Sequence, residues 1–288
     1  MTGPRPGAGD GETSRLLDLR DCDLPGWAAV HREMLRLDLE QQPRWFRPWL
    51  RRSRRLQRAT GYDHWSRSWE YPWAIRAAGL PGADGRGDPP DDTGRLRVLD
   101  VGGGGSPFSL YLAARGHEAW VADPSLDQGT SFVFDRGRGP VRNLRSLLKR
   151  SLFRALGLNS LWGLPERRRG AGTAAAVRRL PCPADRLDLA DASFDRVFCL
   201  SVMEHIPVAG WPACMAEFER VLRPGGRLVI TLDMTTPEAD ARHYRRLVEV
   251  SALRLLGDPS YPVPLAADEQ RRRHPGHGYE TIGLAWIK

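Results

Sequence analysis

Between Val98 and Asp123 the chain reads VLDVGGGGSPFSLYLAARGHEAWVAD. Glycines between two apolar stretches let a backbone turn tightly and come close to a ligand. Carboxylates flank this turn. Asp100, two residues before Gly102, would repel a diphosphate and attract an ammonium group. Asp123, closing the second apolar stretch, can accept two hydrogen bonds from a ribose diol. Charged hydrogen bonds of that kind are worth roughly 1.5–3 kcal/mol each. A second chemical pair, Glu204 and His205, follows the apolar run Phe194–Leu200. The imidazole of His205 can act as a general base near neutrality, and Glu204 could orient it. His243 and Tyr244 are alternatives further along. The other histidines show no ligand-like clustering, so no metal site is read.

Elements of alternating type must hold these residues. Leu96–Val101, Glu118–Ala122, Phe194–Leu200, Arg227–Leu232 and Thr281–Ile287 read as strands. Ser106–Arg115, Trp211–Leu222 and Pro237–Leu256 read as helices between them. Strands alternating with helices predict an α/β fold: a Rossmann-like, mostly parallel sheet of seven strands flanked by helices. In such sheets ligands bind at the carboxyl ends of the strands, where the glycine turn and Asp123 would lie. A dinucleotide is a poor fit, because G-x-G-x-x-G counted from Gly102 places Pro107 at the third glycine. S-adenosylmethionine carries an ammonium and a sulfonium and no phosphate, so the charge of Asp100 selects it over NAD.

D-x-G-x-G (Asp100, Gly102, Gly104) with Asp123 resembles the class I S-adenosylmethionine-dependent methyltransferases. Two further blocks extend the resemblance: Leu189–Pro207 (LADASFDRVFCLSVMEHIP) and Arg220–Ile230 (RVLRPGGRLVI). Together they are similar to the small-molecule, methyltransferase-11-like branch. The resemblance implies that Asp100 and the backbone of Gly102, Gly103 and Gly104 hold the methionine end of the cofactor. It implies that Asp123 binds the ribose hydroxyls, that Pro124 packs beside the adenine, and that Leu200 and Ser201 line the methionine side. Ser106 stands where the family usually has its third glycine. Asp185 is the nearest candidate for the acid that reads the adenine amino group. The expected activity is methyl transfer to a small molecule.

Outside the resemblance, residues 1–23 read as a disordered tail with no signal-peptide pattern, and residues 24–94 as a helical cap and linker. Trp65, Trp69 and Trp73 recur at helical spacing there, as packing residues or pocket lining, while Pro72 suggests a helix start near Trp73. Residues 95–288 form the catalytic domain, interrupted at 127–177 by a basic segment whose Val141, Leu144, Leu147, Leu148 and Leu152 fall at helical spacing. The formal net charge is +8, with twelve basic residues and one acid over Arg136–Arg179 and seven arginines over Arg44–Arg58. Excess arginine near the mouth would suit an anionic acceptor. It also keeps a nucleic-acid methyltransferase in view, although LSVMEHIP lacks the [DN]PP[YF] used for exocyclic amines and Pro181-Cys182 comes before the SFD strand. A non-catalytic S-adenosylmethionine-binding protein is the third reading. No run approaches the roughly 18 apolar residues of a membrane span. Four cysteines without CxxC spacing point to a reducing, cytoplasmic compartment.

Overall fold

Alternation of side chains along a strand decides which face each residue serves. In β2 (Arg97–Val101), Val98 enters one apolar core while Leu99 and Val101 enter another, so Asp100 shares the face of Val98. The split repeats in β5 (Phe194–Leu200): Phe198 and Leu200 face one way, Val197 and Cys199 the other. A sheet apolar on both faces requires helices on both. A computed structural model describes residues 14–42, 44–53, 57, 66–81, 94–104, 106–126, 176–234, 237–257 and 279–288. The helix expected within 127–177 falls outside them.

Five strands run parallel, in the spatial order β4 (Arg178–Leu180), β3 (Glu118–Ala122), β2, β5 and β6 (Leu222–Met234). β8 (Glu280–Ile287) lies antiparallel beside β6, and two short strands, β1 (Arg15–Leu16) and β7 (Arg254–Leu255), pair with its outer edge. The continuous ladder thus contains seven strands, with β7 beside it. Asp100 stands opposite Val121, and Leu200 opposite Thr231. Met234 stands opposite Glu280, so the start of β8 joins the carboxyl ends of the parallel strands.

On the face shared by Asp100 lie α1 (Pro25–Gln41), α3 (Arg67–Ala77) and α4 (Pro107–Ala114). α2 (Arg47–Arg52) carries the smaller cluster of Leu39, Phe46 and Leu50. The opposite face is covered by α5 (Trp211–Val221) and α6 (Pro237–Val250), through Trp211, Met215, Phe218 and Leu247. Among the described residues no helix is long and apolar enough to cross a membrane.

The structure corrects three expectations. Residues 14–23 are not a loose tail: β1 pairs with β8, Leu17 is fully buried, and Trp69 Nε1 donates to Asp21 Oδ2 at 2.9 Å. Pro72 does not start a helix but lies inside α3. An interior proline costs about 3 kcal/mol. Trp69 and Trp73, both fully buried and stacked with centroids 5.3 Å apart, offset it at roughly 1.5–3 kcal/mol or more per buried large side chain. Finally, α6 stops at Val250, because the main chain that follows is claimed by the sheet: Leu256 N donates to Ala285 O at 2.7 Å.

Candidate active site

Asp100 is the next-to-last residue of β2, and the chain folds back over it after Val101. Gly102 adopts φ +77°, a conformation that a side chain resists, and its N–H reaches Ala122 O at 2.7 Å. Gly103 lies against the Asp100 carboxylate, where any Cβ would collide with it. Gly104 N donates to Asp123 Oδ2 at 2.9 Å, tying the turn to the end of β3. Ser106 does not act as a substitute glycine. It caps α4, its Oγ accepting from Phe108 N at 3.0 Å and hydrogen bonding to the Tyr71 hydroxyl at 3.1 Å.

Asp100 is 3% exposed, and its Oδ2 is buried without a hydrogen-bond partner. Burial, reinforced by the charge of Asp123 and opposed by Arg67, raises its pKa to about 8. A buried carboxylate without a donor is costly to ionise, and an ammonium ligand would remove that cost. The half-buried Asp123 and exposed Pro124 sit at the open end of the same turn. These residues fit the amino-acid and ribose portions of S-adenosylmethionine.

Leu200 and Ser201 close β5 beside the turn. Ser201 has φ +50°, rare for a residue with a side chain, and such a conformation costs on the order of 1–3 kcal/mol. Its N–H is held by Thr231 O at 3.0 Å and Thr231 Oγ1 at 3.1 Å. Its Oγ donates to Glu70 Oε1 at 2.6 Å. Glu70 is fully buried and ion-paired with Arg67 one turn earlier on α3. Sequence reading missed this contribution of Arg67, Glu70 and Tyr71. Only the buried charge flanked by tryptophans in RSWEYPW could have signalled it.

Glu204 and His205 form a 3-10 turn after β5 but are not joined. Glu204 reaches instead to the end of β6, its Oε1 accepting from Asp233 N at 3.3 Å, and its Oε2 is buried without a partner. Burial, followed by the charge of Asp233, raises its pKa to about 8. His205 is exposed at the rim. Burial and then Glu70 also raise Asp233, while Arg67 and the hydroxyl of Thr281, donating at 2.9 Å, pull it down. Tyr244 does not reach the site as a base: it is buried against Trp211 and donates to Asp233 O at 2.5 Å. The His243 side chain lies outside what is described. Asp185 is exposed in the turn after β4, and its charge acts on Cys214 of α5; no hydrogen bond joins it to the glycine turn.

A glycine turn over a buried aspartate at the end of the first parallel strand, an acid ending the next, and a final antiparallel strand define a Rossmann-like methyltransferase fold. Residues 134–230 match the family model described as a methyltransferase domain. The matched segment makes the chain a methyltransferase, and the residues around Asp100 fit S-adenosylmethionine as its cofactor. No curated protein matches. Among solved structures it is similar to a TehB-like S-adenosylmethionine-dependent methyltransferase from Corynebacterium glutamicum, at 17% identity and TM-score 0.43, covering 81% of this chain and 93% of that one. It is similar to 1,6-didemethyltoxoflavin-N1-methyltransferase from Burkholderia thailandensis, at 18% identity and TM-score 0.40, covering 85% and 90%. It is also similar to geranyl diphosphate C-methyltransferase from Streptomyces coelicolor, at 13% identity and TM-score 0.38, covering 67% and 69%.

Proposed function

We propose that the chain methylates a small-molecule acceptor that is neutral or positively charged. The observation that carries this reading is the charge at the strand ends. Beyond Asp100 and Asp123, the described residues there include the carboxylates of Glu70, Glu204 and Asp233, with Arg67 set among them. Burial and mutual repulsion already make these acids hold their protons, so a phosphate of RNA or DNA, or an anionic metabolite, would add negative charge where it is disfavoured. The arginines that suggested an anionic acceptor over Arg136–Arg169 lie outside the described residues.

When bound, S-adenosylmethionine supplies a methyl carbon already activated by the sulfonium. The chain then has to align the acceptor and exclude water. Asp100 would hold the ammonium, Asp123 the ribose hydroxyls, and Pro124 would pack beside the adenine. Glu204, with one buried oxygen unpartnered and a pKa of about 8, is suited to take a proton from an acceptor N–H or O–H. General-base help of that kind contributes about 10²–10⁴-fold. His205, on the same turn and open to solvent, would contact the acceptor from the rim.

Methyl-labelled S-adenosylmethionine supplied together with fractionated metabolites and total RNA tests this. The expected label enters small molecules retained on a cation exchanger or passing through both exchangers. Label confined to RNA, or to compounds retained on an anion exchanger, would overturn the reading.

A further inference from the structure

The cofactor's amino-acid tail is a zwitterion, and Asp100 accounts for only its positive end. A carboxylate brought beside Asp100, Glu70 and Asp233 would add negative charge to a buried acidic cluster and needs a cation. Arg67 is the cation whose charge reaches Asp100, Asp233 and Tyr279. We infer that Arg67, on α3 of the N-terminal segment, binds the α-carboxylate of S-adenosylmethionine, and that Glu70 is the residue that positions it.

Four features support the assignment, which rests on the cofactor reading above. Arg67 gives Nη1 to Glu70, and its side chain remains 28% exposed, so part of it is open to solvent. Glu70 is held by a second, independent bond from Ser201, which fixes the guanidinium relative to the end of β5. The Arg67 guanidinium also lies over the Tyr71 ring, 5.5 Å from its centroid. Tyr71 is tied through Ser106 to the cap of α4, so a single helix reaches both sides of the glycine turn. A planar fork with several donors suits a carboxylate better than a point charge does. The neutral Glu70 variant would leave the arginine charge in place but loosen its orientation.

Calorimetry on the full chain with two ligands tests this without any acceptor. S-adenosylhomocysteine carries the amino-acid tail; 5′-methylthioadenosine shares the adenosine and thioether but lacks the tail. Arg67→Gln is expected to weaken S-adenosylhomocysteine about 10–100-fold, the cost of a charge-assisted hydrogen bond. Methylthioadenosine should change by less than about twofold. Arg67→Lys, which keeps the charge, should lose less than Arg67→Gln. Glu70→Gln should weaken only the tailed ligand, by about 3–10-fold, a partial loss of the same bond. Equal losses for both ligands would make Arg67 a purely structural residue, and no loss for S-adenosylhomocysteine would also overturn the assignment. A wild-type chain that bound neither compound would overturn the cofactor reading on which it rests, whereas an unmethylated acceptor pool would affect only the proposed function.

Discussion

The carboxyl groups around the site are held where ionisation is unfavourable, and this has a measurable sign. Glu204 has a folded-state pKa of about 8 against an ordinary 4.5. A raised carboxyl contributes stability below the unfolded value and loses it as pH rises through the folded one. Wild-type protein without ligand should therefore lose stability between about pH 4.5 and pH 8. Glu204→Gln, which keeps the size and the acceptor for Asp233 N, should match wild type near pH 5. At pH 9 it should unfold about 3–8 °C higher, on the order of 1–3 kcal/mol. Thermal unfolding at the two pH values checks this, and equal midpoints at pH 9 would mean that Glu204 ionises freely. At this scale the glycine turn, Asp100 and Asp123 were legible because strand, turn and strand are contiguous, and a few residues of spacing carry the geometry. The separation of Glu204 from His205 was not. Adjacent side chains on a tight 3-10 turn diverge, and Glu204 is drawn to a main-chain N–H that sequence does not reveal.

Among the elements, α3 was misread most. Its sequence, RSWEYPWAIRA, has no amphipathic stripe, because nearly every residue is buried between the sheet, α1 and α4. Period-based reading assumes one wet face, so it fails for a helix buried all round. Trp73 shows how closely α3 is fitted: its ring lies where any side chain at Gly283 of β8 would be. Trp73→Ala should destabilise the whole domain by about 3–5 kcal/mol in denaturant unfolding, with a single transition. A loss below about 1 kcal/mol, or a separate early transition for the N-terminal segment, would show α3 to be a detachable cap. The strands, by contrast, were largely legible. Glu118–Ala122 and Phe194–Leu200 appear with the boundaries read from sequence, because buried apolar runs ended by polar residues leave few alternatives. Strands of two or three residues, β1, β4 and β7, were invisible, since so short a pairing is fixed by the neighbouring strand and not by its own composition.

Over the whole molecule, a net charge of +8 hides an acidic centre. The bulk charge suggested anionic partners, yet the described rim at the strand ends is dominated by carboxylates. Composition averages over exposed arginines such as Arg44, Arg51 and Arg52 and buried acids such as Glu70 and Asp100, although only the latter face the site. The residues that complete the site come from the N-terminal segment, the first parallel strand and the region after the fourth. Ser201 meets Glu70 across 131 positions of sequence. No local pattern announces such a contact.

All of this depends on Asp100 receiving an ammonium group. Titration of S-adenosylhomocysteine into wild-type protein and Asp100→Asn at pH 7, in buffers of different ionisation enthalpy, measures that directly. Asp100 is raised to about 8 without ligand, so pairing with the ammonium should draw its proton off. Wild type should release close to one proton on binding. Asp100→Asn should release none through this position and bind about 10–100-fold more weakly. Unchanged affinity in Asp100→Asn, or tighter retention of NADH than of S-adenosylhomocysteine by wild type, would contradict the account.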